Sequence, residues 1–253
     1  MNKEKIKFLK SLSRKKNRKE NNKILIEGYR LIKEAILYNA DIENLWMTQR
    51  FEEENSEIIT LMNNKIEYEL ITNRELSRIC DSKHPQEIAA EINIEYLNWK
   101  MQNTFDNILI LDGISDPGNL GTILRSAEWF GIKSVIISDD SVDIYNPKTM
   151  RSGMGAHFMI KNLFQTDLFS TIADLKNKEY TIMGAAMDGL SYNELNLNSK
   201  QKWALILGSE ANGISDKTLQ FIDKFISIPK IGNIESLNVA MAGSILLDRL
   251  SSK

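Results

Sequence analysis

Residues 108–131 read ILILDGISDPGNLGTILRSAEWFG. The apolar run 108–111 has the length and composition of a buried β-strand. Asp112 to Gly118 is a turn. From Asn119 onward apolar residues recur at positions 120, 123, 124, 127 and 130, the period of a helix facing a core, and Gly131 follows as its C-terminal cap. A strand that feeds a helix through such a turn is the repeating half of an α/β domain. Ligands of such domains bind outside the carboxyl ends of the strands.

The same alternation continues outward. Strands are expected at 134–137, 181–185, 204–207 and 225–228, with helical patterns between most of them. Their continuous Ile, Leu and Val predict a mostly parallel sheet covered on both faces. Upstream, shorter strands are expected at 24–27, 44–47, 66–71 and 88–94. Helices are expected over 29–38 and 51–62, and from an N-cap at Asn73 to near Cys80. That half reads as a small α/β domain. Residues 95–105 show no period and read as a linker, which divides the 253 residues into 1–94, 95–105 and 106–253.

Composition narrows the class. A hydrophobic fraction of 42% and a charged fraction of 26% are those of a soluble globular protein. No apolar run approaches the roughly 20 residues needed to cross a bilayer, and the N-terminus lacks the apolar core of a signal peptide. Cys80 is the single cysteine, accompanied only by His84 and His157, so no metal-ligand spacing occurs. A reducing cytoplasm is the simplest expectation, with no membrane and no metal. The net charge of -2 is uneven. Residues 1–23 carry ten Lys/Arg against two Glu, a local +8, which leaves about -10 on the remainder. Such a segment reads either as a basic helix or arm for phosphate backbones or as a solvated, frayed terminus.

Three loops stand at the ends of expected strands. In the first, Asn119 and Arg125 lie six residues apart, close to two turns of 3.6 residues, so both fit the polar side of one helix. Gly118 and Gly121 permit close approach. Arg125 sits on a helix otherwise facing the core, where a structural ion pair is the alternative. The second loop follows strand 204–207 and holds Gly208, Glu210 and Gly213. Glu210 is placed to orient a cationic group or to hold Arg125, although Gly-Ser-Glu after a strand is also ordinary turn chemistry. The third follows Ile228 and Pro229. Ser236 fits an N-cap, Asn238 lies in the first turn, and Leu237, Ala240, Met241, Ser244, Ile245 and Asp248 share one helix face. Neither a G-x-G-x-x-G fingerprint nor a G-x-x-x-x-G-K-[ST] loop is present.

In this order the three strings resemble the SpoU (TrmH-like) family of RNA ribose 2′-O-methyltransferases, members of the knotted SPOUT class. Asn119, Gly121 and Arg125 match its first motif. Gly208, Glu210 and Gly213 match its second, and Ile228, Pro229, Ser236, Leu237, Asn238 and Val239 its third. The match covers about residues 106–250. The N-terminal half resembles the family's substrate-binding domain, which is similar to a small ribosomal-protein RNA-binding fold. Pro85-Gln86 is similar to the family's Pro-Gln-Gly, with Glu87 where Gly is usual.

The resemblance implies a C-terminal trefoil knot, a homodimer and S-adenosylmethionine bound at the knot. It implies that Gly208, Gly213, Ile228, Leu237 and Asn238 contact the cofactor. It makes Arg125 central to catalysis, together with Asn119, Glu210, Ser236 and Asn238. The implied substrate is RNA, ribosomal before transfer RNA. Rival readings are methylation of a base and a non-catalytic RNA-binding or ribosome-assembly protein on the same fold.

Overall fold

The computed structural model describes residues 1–63, 65–82, 84–95, 106–196 and 201–251. The expected linker, 95–105, lies outside the described residues except for its first position. In chain order the elements are α1 (Lys3–Ser11), α2 (Lys15–Asn21), β1 (Lys23–Glu27), α3 (Tyr29–Leu37), β2 (Ile42–Met47), α4 (Gln49–Glu54), α5 (Ser56–Met62), β3 (Tyr68–Leu70), α6 (Asn73–Ile79) and β4 (Ile88–Asn93). There follow β5 (Ile108–Asp112), α7 (Pro117–Trp129), β6 (Ser134–Ser138), α8 (Pro147–Gly153), α9 (Ala156–Met159), β7 (Asn162–Thr166), α10 (Leu168–Asn177), β8 (Thr181–Ser191), β9 (Trp203–Gly208), α11 (Asp216–Leu219), β10 (Lys224–Ser227) and α12 (Val239–Ser251). They form two compact units. The first holds residues 1–95 and 145–159, the second residues 106–144 and 160–251.

The first unit is a four-stranded sheet in the order β1-β4-β2-β3, antiparallel except for β2 against β3. Side chains of a strand alternate between its faces. Ile24, Ile26, Leu45, Met47, Ile88, Ala90 and Ile92 therefore share one core with Leu31, Ile32 and Ala35 of α3 and Ile58 of α5. Met150 of α8 completes that core. Arg151 of the same helix donates to Glu27 at 2.9 Å. On the other face Trp46 and Ala89 pack with Ile6, Leu9 and Leu12 and with Leu76 and Ile79 of α6.

Glu91 faces this second core with no exposed side-chain surface. A buried carboxylate is costly unless paired. Here Lys5 Nζ donates to it at 2.6 Å, Asn44 Nδ2 donates at 2.7 Å, and Lys23 lies at 3.3 Å. The basic segment is thus a folded layer, and the frayed-terminus reading is corrected. Arg18, only 2% exposed, donates to the carbonyls of Leu12 and Ser13 and closes the end of α1.

Local chemistry moves several expected boundaries. The helix expected over 51–62 is two helices, interrupted at Asn55 (φ -128, ψ 54), with Thr48 capping the first. Thr72, in place of Asn73, caps α6 through a reciprocal bond pair with Glu75. The strand expected at 66–71 shortens to β3.

The second unit is a six-stranded sheet, β10-β8-β9-β5-β6-β7, with every neighbouring pair parallel. Strands β5, β6 and β9 are almost wholly buried, as their apolar runs predict. Strand β7 was not expected, because Asn162, Gln165 and Thr166 interrupt its apolar residues. Helix α7 starts at Pro117, two residues before the expected position. Asp116 accepts from Asn119 N–H, and proline, lacking an N–H, suits the first turn. From β5 the chain builds outward to β7, then returns to β8 on the far side and inserts β9 beside β5. The carboxyl ends of β5 and β9 therefore flank a topological switch point. No helix among the described residues is long and apolar enough to cross a membrane.

Glu87, which stands where the resembling family has Gly, adopts φ +62. The left-handed region costs an L-residue about 1–2 kcal/mol. Replacing Glu87 by Gly should relieve that strain but add unfolded-chain entropy. The expected outcome is a net gain of roughly 0.5–1 kcal/mol in urea denaturation, small because Asn73 also loses the Glu87 carboxylate it donates to.

Candidate active site

The turn after β9 is fixed by backbone contact. Ser209 N–H donates to Gly213 O at 3.0 Å, and Gly213 N–H donates to Ser209 O at 2.9 Å. A Cβ on Gly208 would overlap the backbone of Gly213 and Ile214. Gly213 itself has φ +67, a conformation that favours glycine. At the exit of the turn, Ser215 N–H donates to Asp112 Oδ2 at 2.9 Å. Asp112, 4% exposed, thereby ties the end of β5 to the second loop.

A pocket of about 570 Å³ opens beside this turn. Its apolar wall includes Ile214, Phe225, Ile226, Val239 and Leu246, and its rim is the loop from Ile228 to Leu237. Among the described residues, the backbone N–H groups of 230–237 make no hydrogen bond. Main-chain donors left open around an apolar hollow are ready for a ligand's polar edge.

The three loops are joined by side chains. Asn119 Nδ2 donates to Glu210 Oε1, and Asn238 Nδ2 donates to Asn119 Oδ1 at 3.1 Å. Asn238 Oδ1 accepts from the N–H groups of Ala240 and Met241 at 3.0 and 3.4 Å. The polarity is self-consistent. An ionised carboxylate only accepts, so Asn119 must turn its amino group to Glu210 and its oxygen to Asn238. Asn238 must then aim its own oxygen at the helix N-terminus. Farther along, Ser126 and Ser244 share a hydrogen bond at 2.7 Å. Since Asn119 meets Asn238 and Ser126 meets Ser244, α7 and α12 run side by side in the same direction.

Of the residues expected to contact a cofactor, Gly208, Gly213, Ile228 and Leu237 line the pocket, and Asn238 stands outside that lining. Of those expected to act on substrate, Glu210 and Ser236 line it, while Asn119 is joined to it through Glu210. Arg125 is exposed and makes no ion pair among the described residues. It lies six residues beyond Asn119, about 9 Å of helix rise. Of the two roles open to Glu210, holding Arg125 is not the one formed: its carboxylate accepts from Asn119, and Arg125 lies about two helical turns farther on.

One further expectation is corrected. Ser236 does not cap α12: it is exposed in the loop, and Asn238 supplies the acceptor. Of the face shared by Leu237, Ala240, Met241, Ser244, Ile245 and Asp248, only Ala240 is buried, and the buried side is completed by Val239, Gly243, Leu246, Leu247 and Leu250.

Sequence reading missed the wall formed by Ala185, Ala186 and Met187. It arises because β8 leaves its register with β10: Phe225 pairs with Gly184, and Ile226 with Leu190. A Cβ at Gly189 would come within 2.6 Å of the Phe225 backbone. Two glycines, 184 and 189, inside one strand were the available signal. The role of Asp112 had no such signal.

Gly208→Ala should part the turn. We expect a loss of about 1–3 kcal/mol, as for other overpacked sites, together with faster hydrogen exchange at Gly213 N–H. Both are read by denaturation and exchange on the variant.

Comparison with known proteins agrees with this geometry. Residues 106–248 match the SpoU rRNA Methylase family, and residues 3–90 match the MRM3-like substrate binding domain. The 23S rRNA (guanosine(2553)-2′-O)-methyltransferase RlmP of Bacillus subtilis (strain 168) is 31% identical over 98% of this chain and 96% of its own length. The structure of a putative RNA methyltransferase of the TrmH family from Porphyromonas gingivalis is 30% identical, with TM-score 0.84 over 98% of this chain and 97% of that one. AviRb, a SpoU methyltransferase from Streptomyces viridochromogenes solved with AdoMet, has the same fold, with TM-score 0.84 at 20% identity over 100% of this chain and 98% of that one. The two-part match and the ordered strand-end loops lead to one conclusion: the chain belongs to the SpoU rRNA methylase family.

Proposed function

We propose that this chain transfers a methyl group from S-adenosylmethionine to a ribose 2′-hydroxyl of ribosomal RNA. The observation that carries the reading is the hydrogen-bonded run Glu210–Asn119–Asn238, which joins all three loops at the pocket edge, with Arg125 in no ion pair among the described residues. The family membership and the relative named for 2′-O-methylation of 23S rRNA support it.

The pocket fits the cofactor on its own terms. Its volume lies within the roughly 300–1,000 Å³ of small-molecule sites. Its wall is apolar, Glu210 and Glu235 set two carboxylates at the rim against the one ammonium of Lys230, and the loop 230–237 offers main-chain donors. Gly208, Gly213, Ile228 and Leu237 would hold it. When bound, S-adenosylmethionine supplies a methyl group activated by an adjacent sulfonium. The protein's part is placement and charge. Asn119 and Asn238, locked by their mutual bond, hold the first and third loops in register so that a ribose can be oriented between them, with Ser236 beside them. Holding reactants about 3–3.5 Å apart accounts for much of the acceleration in such transfers.

The hydroxyl must pass its proton to solvent water as the new bond forms. A guanidinium ordinarily stays protonated, so Arg125 is assigned to clamp the adjacent phosphate and stabilise the developing alkoxide. An arginine held in a structural ion pair would be poorly available for this, and among the described residues Arg125 is in none.

The remaining features follow the same reading. Residues 1–94, completed by 145–159, act as the RNA-binding domain and the rest of 106–253 as the methyltransferase domain, in the cytoplasm. The all-parallel order β10-β8-β9-β5 and the return of α12 onto α7 favour a trefoil knot at the pocket. Exposed Trp129, Met241 and Ile245 on these paired helices favour a homodimer. Trp129→Glu should shift the sedimentation coefficient from dimer to monomer. An unchanged value would remove this face from the interface.

Arg125→Ala should lower methyl incorporation into rRNA by at least about 10²–10³-fold, the scale of losing a key charge-stabilising donor, while S-adenosylmethionine affinity by calorimetry stays within about threefold. Radiolabelled transfer near the wild-type rate would overturn the assignment. Nucleoside digestion of the labelled product distinguishes ribose from base, and use of tRNA in place of rRNA tests the substrate. Absence of any S-adenosylmethionine binding would favour a non-catalytic RNA-binding protein.

A further inference from the structure

Ten Lys and Arg side chains lie within residues 1–23, and the fold sorts them. Lys5 and Lys23 turn inward to Glu91, and Arg18 is spent on backbone carbonyls. Lys16 faces Glu20 at 3.8 Å across one helical turn. Lys3, Lys7, Lys10 and Arg14 are exposed, and among the described residues their side chains make no ion pair.

These unpaired cations are ordered in space. Lys3, Lys7 and Lys10 stand at i, i+4 and i+7 of α1, an arc of about 60° along some 10 Å of helix. Arg14 follows at the elbow. Helix α6 lies beside α1: Leu9 and Leu12 share a core with Leu76 and Ile79, and the Met1 amine donates to Glu75 at 2.8 Å. On α6, Arg74 and Arg78 are exposed one turn apart on the side away from Leu76 and Ile79, again without an ion pair among the described residues. The outer surface of this two-helix layer therefore carries six cations that make no ion pair among the described residues, against the one exposed carboxylate of Glu4 on α1.

The rest of the chain sharpens the contrast. Residues 1–23 carry a net +8 against about -10 beyond them, so the chain's excess of positive charge lies in this segment, where it attracts a polyanion. The layer is also preset. Arg18 locks the turn between α1 and α2, and the sheet buries the inner face of α1, so little ordering is left for binding. The match to a substrate-binding domain starts at residue 3 and includes α1.

We infer that the outer face of α1 and α6 is the docking track for the phosphate backbone of the substrate RNA, with Lys3, Lys7 and Lys10 as its spine. This rests on the RNA methyltransferase reading above. Lysines at this spacing act as point charges on phosphates and fix register without reading bases. The track therefore sets affinity and orientation, while the choice of nucleotide lies elsewhere.

The test compares two full-length variants of equal net charge. One carries Lys3→Gln, Lys7→Gln and Lys10→Gln. The other carries Lys65→Gln, Lys161→Gln and Lys217→Gln, also exposed lysines. Deleting residues 1–20 would not serve, since it removes Ile6, Leu9 and Leu12 from the core. The probe is a hairpin RNA titrated at several salt concentrations. In the first variant the log–log salt slope should become shallower by about 0.7–0.9 per lost phosphate contact, and low-salt affinity should fall on the order of tenfold. The second variant should stay within about twofold of wild type. S-adenosylmethionine affinity should be unchanged in both. Equal RNA binding by the two variants overturns the track. Failure of the wild-type protein to bind RNA at all overturns the methyltransferase reading and the track with it.

Discussion

The backbone at Gly208 lies against the backbone at Gly213, with no room for a side chain between them. This contact reverses the chain directly at the end of β9, so that Glu210 points back across the strand ends and meets Asn119. Asn119 can then present its oxygen to Asn238, and Asn238 can cap α12. Each step depends on the one before. The polar residues of three distant stretches converge because one turn is as tight as two glycines permit. Asp112 supports the same turn from beneath, from a strand whose register with β9 places it opposite Gly208.

Much of this was legible in the sequence, for identifiable reasons. Fully buried parallel strands are continuous apolar runs, and β5, β6 and β9 announce themselves. Helix α7 follows from the spacing of Leu120, Ile123, Leu124 and Ala127. What was not legible depended on partners far along the chain. Strand β7 is carried by its neighbour β6 more than by its own composition. The choice between Ser236 and Asn238 as cap depended on where Asn119 would arrive. The neighbouring choice of Thr72 over Asn73 was legible in principle, since Glu75 stands three residues after Thr72. That Arg125 makes no ion pair among the described residues could not be read either, because it follows from the second loop setting Glu210 beside Asn119, about two helical turns short of Arg125.

Electrostatics divide the molecule along similar lines. At the strand ends, charge is used through orientation: a carboxylate aligns an amide, which aligns another. In the first unit, charge is used through accounting between faces. Glu91 draws Lys5 and Lys23 inward and, in doing so, separates cations that stabilise the sheet from those that remain outside. The basic character visible in residues 1–23 is thus two populations, which composition alone merges.

The segment 145–159 completes the core of the first unit, with Met150 inside it and Arg151 on Glu27. This imposes an order on synthesis. At roughly 5–20 residues per second, the ribosome finishes β4 several seconds before it makes Met150. During that interval the nascent first unit lacks part of its core, and Glu27 lacks its guanidinium. The unit nearest the N-terminus is therefore sealed only after the first stretch of the second, residues 106–144, has been translated, and vectorial folding of this chain cannot proceed strictly one unit at a time.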